Sequence, residues 1–364
     1  MVSTGFESSS TRTSTIAPEG RHEHEEPEDI LSAFLGVVYD YAPITYSEAG
    51  STFTYTYPGL RRHADVKGAP SADDEEYQWT TDPITLTLHT PDTQARNWEL
   101  HASSIWAAAV FLADHIDELK LDRFMHLSRS DEQDIRSGGT FRVLELGAGA
   151  GLPGLLIAKY LERIERDSES RGEDMKEWRI TLSDYPDELL IETLRRNVQR
   201  NYSSGSDHSQ VTDTIPKCIH VVPYAWGEDI SALISSQKDD AEGVGFDLIV
   251  AADTLWNAAL HDIFAQTIYF LLRRTPDARV HLVAGLHTGR YALSGFLRTV
   301  RSIHVSQRDN TPKPRLDVLD ISEREVNDEA RRDWREDRDG EDDMERRRWL
   351  VWIVLGWVDL RLSP

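Results

Sequence analysis

Apolar and polar residues alternate in Phe53-Thr-Tyr-Thr-Tyr57 and Ile84-Thr-Leu-Thr-Leu88, and that period of two predicts two half-buried strands. Leu100, Ile105, Ala109, Leu112 and Ile116 recur at helical spacing, which predicts a helix over residues 99–119. From Phe141 the pattern becomes short continuous apolar runs separated by amphipathic segments. Buried strands are predicted at 141–146, 179–183, 218–222, 246–251 and 279–284, with helices over 151–163, 188–201, 261–273 and 291–300 between and after them. Such alternation implies right-handed crossovers and a parallel sheet covered on both faces. Residues 318–326 and 349–358 both read as strands with no apolar helix between them, so the chain closes in an antiparallel hairpin. The expected architecture is α/β, a doubly wound and mostly parallel sheet of seven strands.

Polar stretches divide the chain. Residues 1–28 join Ser/Thr to the run His22–Asp29 and are too polar to offset chain entropy, which predicts a disordered acidic tail. Residues 29–98 form a strand extension, and 99–364 the main domain, with polar insertions near 165–177, 203–216 and 327–348. His22 and His24 lack a third ligand nearby, so no metal site is expected there.

The 364 residues carry 40 Lys+Arg against 63 Asp+Glu, a formal charge of −23. A surface of that sign does not hold nucleic acid by neutralising phosphates. One cysteine, Cys218, excludes an internal disulfide and fits a reducing compartment. The longest apolar stretches, 105–113 and 350–358, fall short of the roughly 20 residues that a bilayer demands. A cytoplasmic location with no membrane partner is the expectation.

Chemistry enters at Val143-Leu-Glu-Leu-Gly-Ala-Gly-Ala-Gly-Leu-Pro-Gly154, where a buried strand runs through Gly147, Gly149 and Gly151 into a helix. Glycines there permit positive φ and let a ligand approach the backbone. Pro153 suits the first helical turn, where its missing donor costs little. Gly149, Gly151 and Gly154 also satisfy the GxGxxG pattern of dinucleotide binding. Glu145 argues for another ligand: a carboxylate before the first glycine suits an ammonium group better than a pyrophosphate. Asp184, at the end of the next strand, stands where a carboxylate binds a ribose diol. S-adenosylmethionine has the ribose, an amino-acid end and no phosphate.

The E-x-G-x-G-x-G loop, Asp184 and the terminal hairpin resemble the seven-β-strand S-adenosylmethionine-dependent methyltransferases, with a Rossmann-like fold, over roughly residues 80–358. Ile105-Trp106-Ala-Ala-Ala, Asp184-Tyr-Pro-Asp187, Ala225-Trp226-Gly227 and Ala252-Asp253-Thr-Leu-Trp-Asn257 resemble one branch of them, the protein lysine methyltransferases and fungal nicotinamide N-methyltransferase-like proteins. The resemblance implies S-adenosylmethionine as cofactor, with Glu145 and the backbone at Gly147, Gly149 and Gly151 on its methionine portion. It places Asp184 on the ribose, Trp226 against the adenine and Trp106 at the entrance. Asp253 falls beside the transferable methyl group, contacting cofactor and acceptor. Relatives usually end the D-x-x-aromatic motif in Tyr, where this chain has Trp256 followed by Asn257. Asp253 or the Asn257 oxygen could orient the acceptor amine, and Trp256 could offer it an aromatic face.

Plainer readings stand beside these. Trp226 and Trp106 could be core aromatics, and Asp253 a helix cap, as Asp187 is expected to be. His261, His281 and His287 are expected to pack or face solvent. The segment 285–289 could line a substrate mouth or form an ordinary turn. The leading functional expectation is N-methylation of a protein amine, a lysine side chain or a free N-terminus, with a basic protein drawn to the acidic surface. The alternatives are a small-molecule N-methyltransferase of nicotinamide-like acceptors, a non-catalytic S-adenosylmethionine-binding module and, last, an NAD dehydrogenase.

Overall fold

The computed structural model describes residues 45–57, 83–92, 100–125, 139–202, 216–235, 245–303, 314–327 and 330–358. The expected acidic tail lies outside these residues, as does nearly all of the expected insertion at 203–216. Two strands, β1 (Thr52–Tyr57) and β2 (Ile84–His89), pair antiparallel as a separate sheet. The main sheet holds β3 (Phe141–Leu146), β4 (Trp178–Asp184), β5 (Ile219–Pro223), β6 (Leu248–Ala252), β7 (Arg279–Gly285), β8 (Arg315–Glu325), β9 (Arg331–Asp333) and β10 (Trp349–Val358). Their order is β5-β4-β3-β6-β7-β10-β8-β9. The first five are mutually parallel, and β10 runs antiparallel between β7 and β8. All seven expected strands are present, and β9 adds a short eighth at the edge.

The helices are α1 (Ala107–Asp114), α2 (Asp122–Met125), α3 (Leu152–Arg171), α4 (Glu188–Tyr202), α5 (Ser231–Ser235), α6 (His261–Leu271), α7 (Arg290–Ser302) and α8 (Asp343–Arg347). Strand residues alternate between two apolar clusters, as a period of two requires. Val143, Ile180 and Val250 join α1, α3 and the β1–β2 hairpin on one face. Leu144, Ile249 and Leu282 join α6 and α7 on the other. Burying each such side chain contributes roughly 1.5–3 kcal/mol.

Two local expectations are corrected and one is refined. The helix expected over 99–119 begins only at Ala107, because Trp106 bridges to Thr45, the Tyr46 N–H donates to the Ile105 carbonyl, and His101 has φ 51°. Residues 165–171, set apart in sequence as a polar surface segment, continue α3 as its last turns, closed at Gly172 (φ 69°) where the Glu173 N–H returns to the Ser168 carbonyl. The 327–348 excursion, expected to be a solvated helix or disordered, carries β9 and α8 and is held by a buried ion cluster. There Glu323 on β8 receives Arg290, Arg332 and Arg338, and Arg290 also donates to Glu341. Mixed charge reads as solvated in sequence; carboxylates and guanidiniums that satisfy one another can be buried.

Candidate active site

Sheet order reverses between β3 and β6, and the crevice beyond the carboxyl ends of strands at such a switch point is where open α/β sheets take ligands. A cavity of about 370 Å³ opens there. The chain turns out of β3 through Gly147 (φ 69°), Gly149 (φ 54°) and Gly151 (φ 85°). A methyl group added at Gly147 would meet Thr254 Cγ2 at 2.8 Å, and one at Gly151 would meet Leu194 Cδ1 at 2.7 Å. Both positions therefore need glycine for conformation and for room.

Two carboxylates tie this loop down. Glu145 Oε2 accepts the Gly154 N–H at 3.0 Å, and Asp184 Oδ2 accepts the Gly149 N–H at 2.6 Å. Asp184 Oδ1 takes the Tyr185 N–H at 2.6 Å. Burial pushes the Glu145 carboxyl up to about 8, against the pull of the Gly154 amide and with the Asp184 charge adding to it. Burial likewise raises Asp184 to about 6, opposed by the Gly149 and Tyr185 amides and assisted by Asp187. Asp187 itself caps α4, accepting from the Leu189 and Leu190 amides at 3.0 Å.

Asp253 follows β6 with φ 55°, a conformation that L residues adopt at a cost and that tends to mark functional sites. Its N–H donates to the Val283 carbonyl at 2.7 Å, and its Oδ1 accepts the Gly285 N–H at 3.1 Å. Burial raises its carboxyl, while His287, the Gly285 amide and His101 oppose the rise. Four rings line the mouth as a continuous wall. Trp256 meets His101 edge-on with centroids 4.9 Å apart, His101 meets Trp106 at 6.0 Å, and Trp106 stacks on His287 at 5.7 Å.

Of the residues singled out in sequence, Trp106, Glu145, Gly147, Gly149, Asp184, Trp226, Asp253 and Trp256 line one cavity. Trp226 rests on Phe264, with centroids 4.4 Å apart, and its edge faces Gly147. Gly151, which ends the loop at the start of α3, is not among the lining residues. Asn257 is not among the lining residues; its oxygen accepts the Ala259 N–H at 3.0 Å and caps the turn Ala258–Leu260. His261 and His281 are buried, bonded to the Leu255 carbonyl and to the Trp352 indole, as packing residues are.

His287 departs from the expectation of packing or solvent and lines the cavity, with the turn Leu286–Thr288 presenting it. His101 was not singled out at all. The local signals that could have found them are weak: a histidine two residues after Gly285, and one five residues before Trp106 in an apolar segment.

The donor set decides between ligand classes. Glu145, Asp184 and Asp253 face the cavity, and none of the described lining residues is Lys or Arg. The Gly149 and Gly154 amides, which a pyrophosphate would seek at a helix N-terminus, already serve carboxylates. That rejects a dinucleotide phosphate and suits a ligand carrying positive charge, a ribose and an apolar base.

The fold is that expected of S-adenosylmethionine-dependent methyltransferases. The chain belongs to the lysine methyltransferase family, whose model matches residues 92–302. It is similar to proteins named protein N-terminal and lysine N-methyltransferase EFM7 in several fungi. The relative from Debaryomyces hansenii is 31% identical over 182 residues, covering 50% of this chain and 55% of that protein. The one from Gibberella zeae is 27% identical over 54% of this chain and 60% of that protein. The one from Emericella nidulans is 27% identical over 37% of this chain and 44% of that protein. The chain spans about half the length of the curated relatives it matches. Among solved structures, the mitomycin 7-O-methyltransferase MmcR aligns with a TM-score of 0.33 at 11% identity, over 61% of this chain and 50% of that one, a likeness too slight to build on.

Proposed function

We propose that this chain methylates a protein amine, an N-terminal α-amine or a lysine side chain, using S-adenosylmethionine. The observation that carries the reading is the mouth of the cavity, where a carboxylate, Asp253, stands against a wall of two indoles and two imidazoles. The names of the fungal relatives agree with it. The charge of −23 supports a basic protein as substrate, met in the cytoplasm.

When bound, the cofactor supplies an electrophilic methyl group. Glu145 would hold its ammonium, Asp184 its ribose hydroxyls and Trp226 its adenine. The acceptor must arrive as a neutral amine with its lone pair aligned, so positioning supplies much of the rate. Asp253 would accept an N–H of that amine and stabilise the positive charge that grows on nitrogen. Trp256 and Trp106 exclude water and turn π faces to the same charge. His287, beside Asp253, is placed to take the proton that an ammonium substrate must lose.

The experiment is transfer of labelled methyl from S-adenosylmethionine into a lysate of cells lacking this protein. Label in a protein band, reduced by about 100-fold or more with Asp253→Ala, is expected. Label confined to nicotinamide or other small amines would overturn the protein-substrate reading, and no transfer to either would leave a binding module.

A pH dependence follows from the two raised carboxyls. A cationic ligand needs them ionised, so its binding expels a proton, and affinity rises with pH from 6 to 7.5, by up to tenfold per unit from Glu145 alone. Titration calorimetry in buffers of different ionisation enthalpy reads the released proton. Glu145→Gln should weaken binding and flatten this dependence. Because the folded-state value lies above the unfolded one, the Glu145 contribution to stability is full below about pH 4.5 and is lost as pH rises through about 8. The same variant should therefore melt higher than the wild type in ligand-free form at pH 8.

A further inference from the structure

Among the described residues, no strand pairs with the edge of β2 that faces away from β1. That edge is met by two side chains of α4. Asn201 accepts the Thr87 N–H and donates to the Thr87 carbonyl, both at 3.0 Å. Asn197 does the same at His89, accepting at 2.7 Å and donating at 2.9 Å. Four residues along a helix rise about 6 Å and two along a strand about 6.7 Å, so carboxamides at i and i+4 match peptide groups at i and i+2. The two asparagines thus stand in for a neighbouring strand.

They differ in one bond. The second N–H of the Asn197 amide donates to the carbonyl of Ala150 at 2.9 Å, in the glycine loop between Gly149 and Gly151. Ala150 lines the cavity, and Asn197 is buried with both of its amide N–H donors used. Leu194, one turn earlier on α4, packs against Gly151. The loop is therefore fixed on one side by Asp184, through Gly149, and on the other by Asn197, through Ala150.

We propose that Asn197 is a positioning residue for the cofactor loop, tying the N-terminal hairpin to the glycine loop so that hairpin docking sets the loop's affinity for its ligand. The inference rests on the reading of this cavity as the S-adenosylmethionine site. Without the clasp, the Ala150 carbonyl loses its partner and the loop must be ordered by the ligand itself, which lowers affinity without altering the reacting groups.

The test compares Asn197→Ala, Asn197→Asp and Asn201→Ala in the full chain. Asn197→Asp keeps an acceptor for the His89 N–H but loses the donor to the His89 and Ala150 carbonyls alike, so the loop bond is separated from hairpin docking by comparison with Asn201→Ala. Asn201→Ala removes the equivalent hairpin bonds and leaves the loop bond. Both Asn197 variants should bind S-adenosylhomocysteine about tenfold more weakly, and Asn201→Ala within about twofold of wild type. Turnover at saturating S-adenosylmethionine should be unchanged within about twofold, the loss appearing in KM. Amide hydrogen exchange of residues 148–152 in the ligand-free protein should quicken in the Asn197 variants and not in Asn201→Ala. Equal weakening by Asn197 and Asn201 variants, or unchanged exchange in Asn197→Asp, would overturn the clasp. Failure of the wild type to bind either ligand would overturn the function reading instead, and the exchange comparison would still decide whether Asn197 holds the loop.

Discussion

Replacing Asp184 with alanine is expected to weaken binding of S-adenosylhomocysteine on the order of 100-fold, measured by titration calorimetry at pH 7.5. Both carboxylate oxygens already accept backbone amides, Gly149 on one and Tyr185 on the other. Each oxygen keeps a further lone pair for a hydroxyl donor. A ribose diol would therefore find two charged acceptors held rigidly at the end of β4, each charge-assisted bond contributing roughly 1.5–3 kcal/mol. Alanine removes the acceptors and frees the Gly149 amide together, so the loop loosens as the ligand contact is lost. Asp184→Asn should fall between, because its amide can still accept from Gly149 but offers a hydroxyl only one neutral oxygen. Binding unchanged by Asp184→Ala would remove Asp184 from the site.

Replacing Glu323 with alanine is expected to destabilise the fold by about 3–5 kcal/mol, the cost of leaving buried charges unpaired. Glu323 is fully buried, and Arg290 and Glu341 are each 5% exposed at the side chain. Glu323 accepts from Arg290 at 2.6 and 3.0 Å, from Arg332 at 2.6 Å, from Arg338 at 3.1 Å and from the Arg335 N–H at 3.1 Å. Burial pushes its carboxyl up, but donation by Arg290, the Arg335 amide, Arg332 and Arg338 outweighs that and holds it at about 2. The folded-state value lies below the unfolded one, so this stability is present above about pH 4.5 and is lost as pH falls toward 2. Thermal melts should show the Glu323→Ala deficit narrowing as pH falls through that window. Arg290 opens α7 just after the turn that presents His287, so hydrogen exchange in 286–289 should also quicken. A melting point within 2 °C of wild type at pH 7 would show that the cluster is no more stabilising than a solvated one.

Local chemistry in the sequence determined the strand–loop–helix at 141–163 and most of the pocket wall. An apolar run ends, glycines permit positive φ, proline enters the first turn, and a carboxylate precedes the loop. The alternation of short apolar runs with amphipathic helices determined the parallel sheet, and the Asp187 cap was legible because capping needs only residues two and three positions away. The helix predicted from residue 99 failed at its start because the apolar spacing continued through Leu100 and Ile105, where pairing of Ile105 and Trp106 with residues 45–46 overrides it.

Tertiary structure alone decided the rest, since its partners are distant in the chain. His101 and His287 become one wall only when the β7 turn reaches the segment before α1. Asn197 meets His89 and Ala150, 108 and 47 residues away, and Arg290 meets Glu323 and Glu341, 33 and 51 residues away. Trp256 and Asn257 are adjacent in sequence, yet one lines the cavity and the other caps a turn. Pattern and short-range geometry act within a few residues and so can be read along the chain. Which side chains share a cavity, and which buried charges find partners, depends on how the packed layers bring remote segments together.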